Sequence, residues 1–205
     1  MMNKAILISI RPEWVAKILN GEKTIEVRKT APKCDLPVDV YIYCTKSNKY
    51  LLDYEIEKDG GNFFVWDMKS HHYPFKGESD HYFNGKVVAK FTLREVENIL
   101  PVDPFDCDRK IPSIDPVELE KLSCLKPTDI MSYLDFGKGY AWHISDLVIF
   151  DKPMELGDFK YEKKRQRLGP DYHWHVEKSG LVPVKRPPQS WQYVEVDASP
   201  ADRGE

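Results

Sequence analysis

Between residues 21 and 29 the chain reads GEKTIEVRK, and three of its side chains have the types and spacing to do chemistry: Lys23, Glu26 and Arg28. In an extended strand, residues two apart share a face, so Glu26 and Arg28 project together while Ile25 and Val27 turn toward a core. Two kinds of chemistry fit this arrangement. The charged groups can fix an anionic or base-like ligand beside an aromatic wall. Alternatively, Lys23 acts as a base that activates water or a hydroxyl with Glu26 assisting, which makes these two the catalytic pair if the protein is an enzyme. A third reading is architectural: Glu26 and Arg28 pair with each other, and exposed pairs of that kind contribute little.

The flanking sequence shows which elements must place these groups. KAILISI (4–10) is a short, β-branched apolar run that reads as a buried strand. Pro12 suits a first helical position, and Trp14, Val15, Ile18 and Leu19 follow at helical spacing until Asn20-Gly21 stops them. A left-handed cap at Gly21 then throws the chain into the charged strand. VDVYIYCT (38–45) sets Val38, Val40, Ile42 and Cys44 against Tyr41, Tyr43 and Thr45, apolar enough on both faces for a central strand. Further strands are predicted at 85–96, 140–150 and 190–196, and short helices near 116–125 and 127–135. Segments 46–84, 101–136 and 159–182 read as insertions in one domain of residues 1–196, with 197–205 a frayed tail. No regular strand–helix alternation argues for a doubly wound sheet. The expected fold is α+β: a small, partly closed β-barrel of about six strands with an early short helix and helical and loop insertions.

A strand, a short helix and then Gly21, Lys23, Glu26 and Arg28 in the pattern G-x-K-x-x-E-x-R resemble the start of the ASCH domain, a branch of the PUA-like barrels. GYAWHISDLVIFDKPMEL and RPPQSWQYVE further resemble a group of phage and bacterial ASCH-like proteins. The resemblance implies a cleft beside the barrel, lined by the signature strand and the preceding helix, that takes RNA or a nucleotide-like ligand. It also brings in relatives that are amidohydrolases on acylated cytidine, but those carry a threonine nucleophile three residues after the lysine. Here that position is Glu26, and Thr24 lies beside the lysine instead of three residues after it.

Other residues join the ligand-binding candidates. Arg11 and Trp14 flank the helix start, Tyr43 and Thr45 end a strand at the expected rim, and the prolines of RPPQ present Ser190 and Trp191 just before the last strand. Each has a plain alternative as core, surface or connector. Trp142-His143 places an aromatic and an imidazole on opposite faces, the histidine reading more readily as structural than catalytic. In 160–180, Lys163, Lys164, Arg165 and Arg167 interleave with aromatics that include Trp174, a pattern for tracking phosphates and stacking bases, or else a solvated loop. His71-His72, His81 and His173-x-His175 lack metal-ligand spacing, so no metal is expected, and no phosphate- or dinucleotide-cofactor fingerprint is present.

Charge is distributed unevenly. Residues 1–50 carry nine Lys/Arg against five Asp/Glu, and 160–186 carry eight against three, so with a total of −3 the remainder holds a net −12. Two basic segments brought together would make a positive face, while the acidic remainder would suit a protein partner, the reading as a phage-encoded interaction module. Four cysteines without CxxC spacing, no signal-like start and no run of roughly 20 apolar residues predict a soluble cytoplasmic protein with free thiols and no membrane association. Oligomeric state is not readable.

Overall fold

The computed structural model describes residues 2–57, 60–69, 83–99, 114–168 and 174–197; side chains 2, 56, 57, 60, 164–168 and 174–179 are outside the description. Residues 101–113 of the expected insertion at 101–136, the 70–82 segment and the tail beyond 197 therefore lie outside the described residues, as do Cys107 and the histidines at 71, 72, 81 and 173.

Among the described residues ten strands form. β1 (Met2–Ile10) leads into α1 (Pro12–Leu19), followed by β2 (Ile25–Arg28), β3 (Val38–Cys44), β4 (Tyr50–Glu57), β5 (Gly60–Asp67) and β6 (Val87–Ile99). Then come α2 (Pro116–Ser123), α3 (Pro127–Tyr133), β7 (Gly139–Met154), β8 (Phe159–Leu168), β9 (Trp174–Pro183) and β10 (Trp191–Asp197). Eight of the strands make one mixed sheet in the order β2-β7-β6-β3-β1-β10-β8-β9, in which only β1 and β3 run parallel; β4 and β5 pair separately. The α+β expectation holds, but the sheet does not close into a barrel and has more than six strands. The difference comes from two of the three segments read as insertions, 46–84 and 159–182, which supply β4, β5, β8 and β9. Residues 159–182 look like loop because their positions are mostly charged, yet Phe159 is buried and Tyr161 half-buried, and that inward-facing pair seats an edge hairpin on β10.

β1 explains why its sequence shows no alternation. Ile6, Ile8 and Ile10 enter one core with Val40, Ile42, Phe91, Trp142 and the buried face of α1, while Ala5 and Leu7 enter a second with Tyr41, Tyr43, Phe159 and Val194. A strand covered on both sides has no face left for polar residues. A third cluster, Ile25, Val27, Leu119, Ile130 and Ala141 among its members, packs α2 and α3 on the sheet end formed by β2 and β7.

α1 ends in a Schellman motif. Gly21 has φ +75, Glu22 N donates to Lys17 O at 2.9 Å, and Gly21 N donates to Ile18 O at 3.0 Å. The β4–β5 hairpin is fastened next to that cap, where Asn20 Nδ2 donates to Phe63 O at 2.7 Å and Asn20 Oδ1 accepts from Phe63 N at 2.9 Å. A Cβ on Gly21 would meet nothing within 4 Å, so substitution there costs backbone conformation alone. Gly21→Ala should lower the unfolding free energy by about 1 kcal/mol in a urea titration; a neutral result would contradict the strained cap.

Candidate ligand-binding cleft

The cap delivers Lys23 to the interior instead of to a cleft mouth. Its residue is 2% exposed, and Nζ donates to Ile25 O and Ser123 O, both at 2.8 Å, and pairs with Glu26 Oε2 at 3.3 Å. An ammonium has three N–H groups, and three acceptors are in place. Ser123 is the last residue of α2, so its carbonyl belongs to the negative end of that helix and favours a cation. Lys23 therefore pins α2 to β2.

Glu26 sits between two cations, with Oε1 3.0 Å from Arg28 Nη2. Arg28 Nη2 also donates to Ser9 O at 2.9 Å and Nη1 to Ser190 Oγ at 3.2 Å, while Nε is buried with no partner among the described residues. The ion-pair and site readings of Glu26 and Arg28 thus coexist. Every residue of β2 is buried, Glu26 and Arg28 included; α2 and α3 pack on the Ile25/Val27 side, while Asp129 and Tyr133 of α3 and the Gln189–Ser190 connection border the polar side.

Lys23, Glu26 and Arg28 line a cavity of about 450 Å³. Ser9, Ile10 and Arg11 come to it from the end of β1, Trp14 from α1, Thr45 from the end of β3, Leu125, Asp129 and Tyr133 from α3 and its approach, and Gln189 and Ser190 from the connection to β10. Trp14 is half-buried with the Lys23 ammonium 5.7 Å from its ring centroid. Among the sequence candidates, Arg11, Trp14, Lys23, Glu26, Arg28, Thr45 and Ser190 are brought together here. Tyr43 and Trp191 are not part of its wall. Tyr43 turns into the second core, where burial pushes its phenol pKa up, because β3 alternates and its partner faces are both filled. Trp191 packs edge-on against Trp142, centroids 5.4 Å apart, and donates to Thr30 Oγ1 at 3.0 Å. His143 pairs with Glu97 at 2.7 Å, away from the cavity lining. Asp129 and Tyr133 were missed, since no local pattern says that α3 will pack beside β2.

Two other cavities matter. One of about 600 Å³ is lined by Arg11, Pro12, Glu13, Thr45 and residues 46–50. One of about 510 Å³ is lined by Tyr161, Lys163, Val182, Pro183, Lys185, Arg186 and Gln192. The side chains of Lys164, Arg165, Arg167 and Trp174, expected to contact nucleic acid, lie outside the described residues.

Against known proteins, the family model of the ASCH domain matches residues 8–106, and over that span the chain is similar to an ASCH domain. The matched span runs from β1 past β6 and includes the charged strand; α3 and the connection to β10 complete the cavity from outside it. No curated protein matches the sequence. Crystal structures of the ASCH protein of Zymomonas mobilis align with the chain. The unmutated protein is 14% identical, with 92% of this chain and 86% of that chain covered and a TM-score of 0.43. A serine-to-alanine mutant is 16% identical, with 92% and 87% covered and a TM-score of 0.46. A tyrosine-to-phenylalanine mutant is 16% identical, with 75% and 77% covered and a TM-score of 0.44. Among the described residues no helix is long and apolar enough to cross a membrane.

Removing one partner of a buried charge cluster leaves the others uncompensated. Lys23→Met should therefore cost about 3 kcal/mol of stability in denaturant unfolding; a loss below roughly 1 kcal/mol, the range of an exposed pair, would refute its role as a pin. Cys44 is buried in the main core, and desolvation raises its thiol pKa far above the usual range. A raised thiol pKa means a protonated, poorly nucleophilic sulfur at neutral pH. Peptide mapping after brief alkylation at pH 8 should find exposed Cys34 modified and Cys44 intact until denaturant is added.

Proposed function

We propose that the protein binds RNA, or a nucleotide within it, in the cavity over Lys23, Glu26 and Arg28. The observation that carries this reading is a buried three-charge cluster of net +1 in the wall of an open cavity, its guanidinium still holding a spare donor. Guanidinium groups match phosphate oxygens in geometry and charge. Trp14 and Tyr133 add apolar ring surface of the kind on which unpaired bases stack. The ASCH domain supports the same direction.

Binding is favoured over hydrolysis by the bonding of the two groups that catalysis would need. For Lys23 to act as a base it would first have to give up one of its two hydrogen bonds or its ion pair with Glu26, and both Glu26 oxygens face cations. The position at which the amidohydrolase-like relatives carry a threonine nucleophile is this same Glu26.

Calorimetric titration with the four ribonucleoside monophosphates and a mixed-sequence hexaribonucleotide at low salt tests the reading. Binding should be measurable, and Arg28→Lys should weaken it at least about tenfold, since hydrogen bonds to charged groups contribute roughly 1.5–3 kcal/mol. Arg11→Ala, on the exposed rim, should weaken it without lowering the melting temperature. Silence from every ligand in the panel would refute the proposal.

A further inference from the structure

The cleft does not end at Arg11. That residue and Thr45 line both the 450 Å³ cavity and the 600 Å³ cavity, so the two are compartments of one groove with Arg11 and Thr45 at the joint. The second compartment is bounded by the start of α1 and by the β3–β4 connection, and it has a different character from the first. The first is floored by buried charges fixed by hydrogen bonds. In the second, the cations Lys46 and Lys49 are exposed and Glu13 is the carboxylate on the wall. The connection itself is ordered by Ser47 Oγ, which accepts from Lys49 N at 3.1 Å and Tyr50 N at 3.0 Å. Lys49 Nζ rests 4.5 Å from the Tyr50 ring centroid, a cation–π contact that limits how far the ammonium wanders.

A groove whose inner half holds a buried guanidinium and whose outer half holds exposed cations beside a ring suits a charged polymer: one unit is seated inside and the following phosphates run outward. The chain offers another basic route, the β8–β9 hairpin with Lys163 and the segment just after it with Lys185 and Arg186. The cavity there shares no lining residue with the cleft. Continuity therefore selects the exit over the β3–β4 connection.

Resting on the cleft reading above, we infer that the ligand is a single-stranded oligonucleotide, seated by one unit at Arg28 and leaving past Arg11 and Thr45 along Lys46, Lys49 and Tyr50. The inference names the ligand as a polymer of at least two or three units and gives its direction on the protein.

The test is a length series, adenosine monophosphate and oligoadenylates of two, three and six units, repeated with whichever base the panel above favours. Affinity should rise at least about tenfold from one unit to three. In Lys46→Glu/Lys49→Glu most of that gain should vanish. The slope of log affinity against log salt for the hexamer should fall by roughly one to one and a half, at about 0.7 for each phosphate no longer neutralised. Lys46→Ala/Lys49→Ala should show the smaller loss expected of neutralisation without repulsion, which guards against a folding artefact of the charge reversal. If affinity is flat with length, the inference fails and the mononucleotide reading of the cleft stands. If the gain survives in Lys46→Glu/Lys49→Glu but is lost in Lys163→Glu/Lys185→Glu, the strand leaves by the hairpin and the inference is wrong. If no length binds, the cleft reading falls and this inference falls with it.

Discussion

Three charges buried side by side are the constraint around which the rest of this molecule is arranged. Each ion taken out of water costs several kcal/mol unless its hydrogen-bonding capacity is met inside. Lys23 meets it with carbonyls from β2 and the end of α2; Arg28 meets most of it with Ser9 at the end of β1 and Ser190 before β10. Residues 9, 23–28, 123 and 190 must therefore arrive at one place. The Schellman turn, the seat of α2 and α3 on the sheet end and the rigid proline approach to Ser190 each deliver one of them. The cleft is the space left where these segments meet without closing over one another.

The same bonding separates two functions that the residue types alone leave equal. A lysine and a glutamate three apart are as suited to proton transfer as to recognition. Once the lysine is held by its acceptors and the glutamate lies between two cations, the three charges of Lys23, Glu26 and Arg28 leave a net +1 fixed at the cavity wall. On the reading proposed above, such a fixed charge requires no reorganisation when an anion enters.

Much of this was legible from local pattern. The helix at Pro12–Leu19, its glycine cap, the central position of β3 and the starts of α2 and α3 follow from spacing and punctuation within a dozen residues, and the motif Gly21, Lys23, Glu26, Arg28 pointed to the strand that floors the cleft. What failed was non-local. That β2 is an edge strand with both faces covered depends on where α3 docks. That Tyr43 enters a core instead of the rim depends on β8 and β10 filling the far side of the sheet. β8 and β9 were unreadable as strands because an edge hairpin needs only one or two apolar side chains facing inward, too few to stand out among lysines and arginines. Lys23 shows the limit most clearly: a lysine after a turn has every local reason to be solvated, and only the distant Ser123 carbonyl makes the interior tolerable.

Asn20 has a bearing on how this chain can vary. By donating to and accepting from the Phe63 peptide at once, its side-chain amide stands in for a neighbouring strand. The β4–β5 pair is thus spliced to a helix end and owes no ladder register to the eight-stranded sheet. The pair can change in sequence while Leu52 and Phe63 keep their places in the core. Diversity accumulated there would alter the protein's outline without touching the charges that set its cleft.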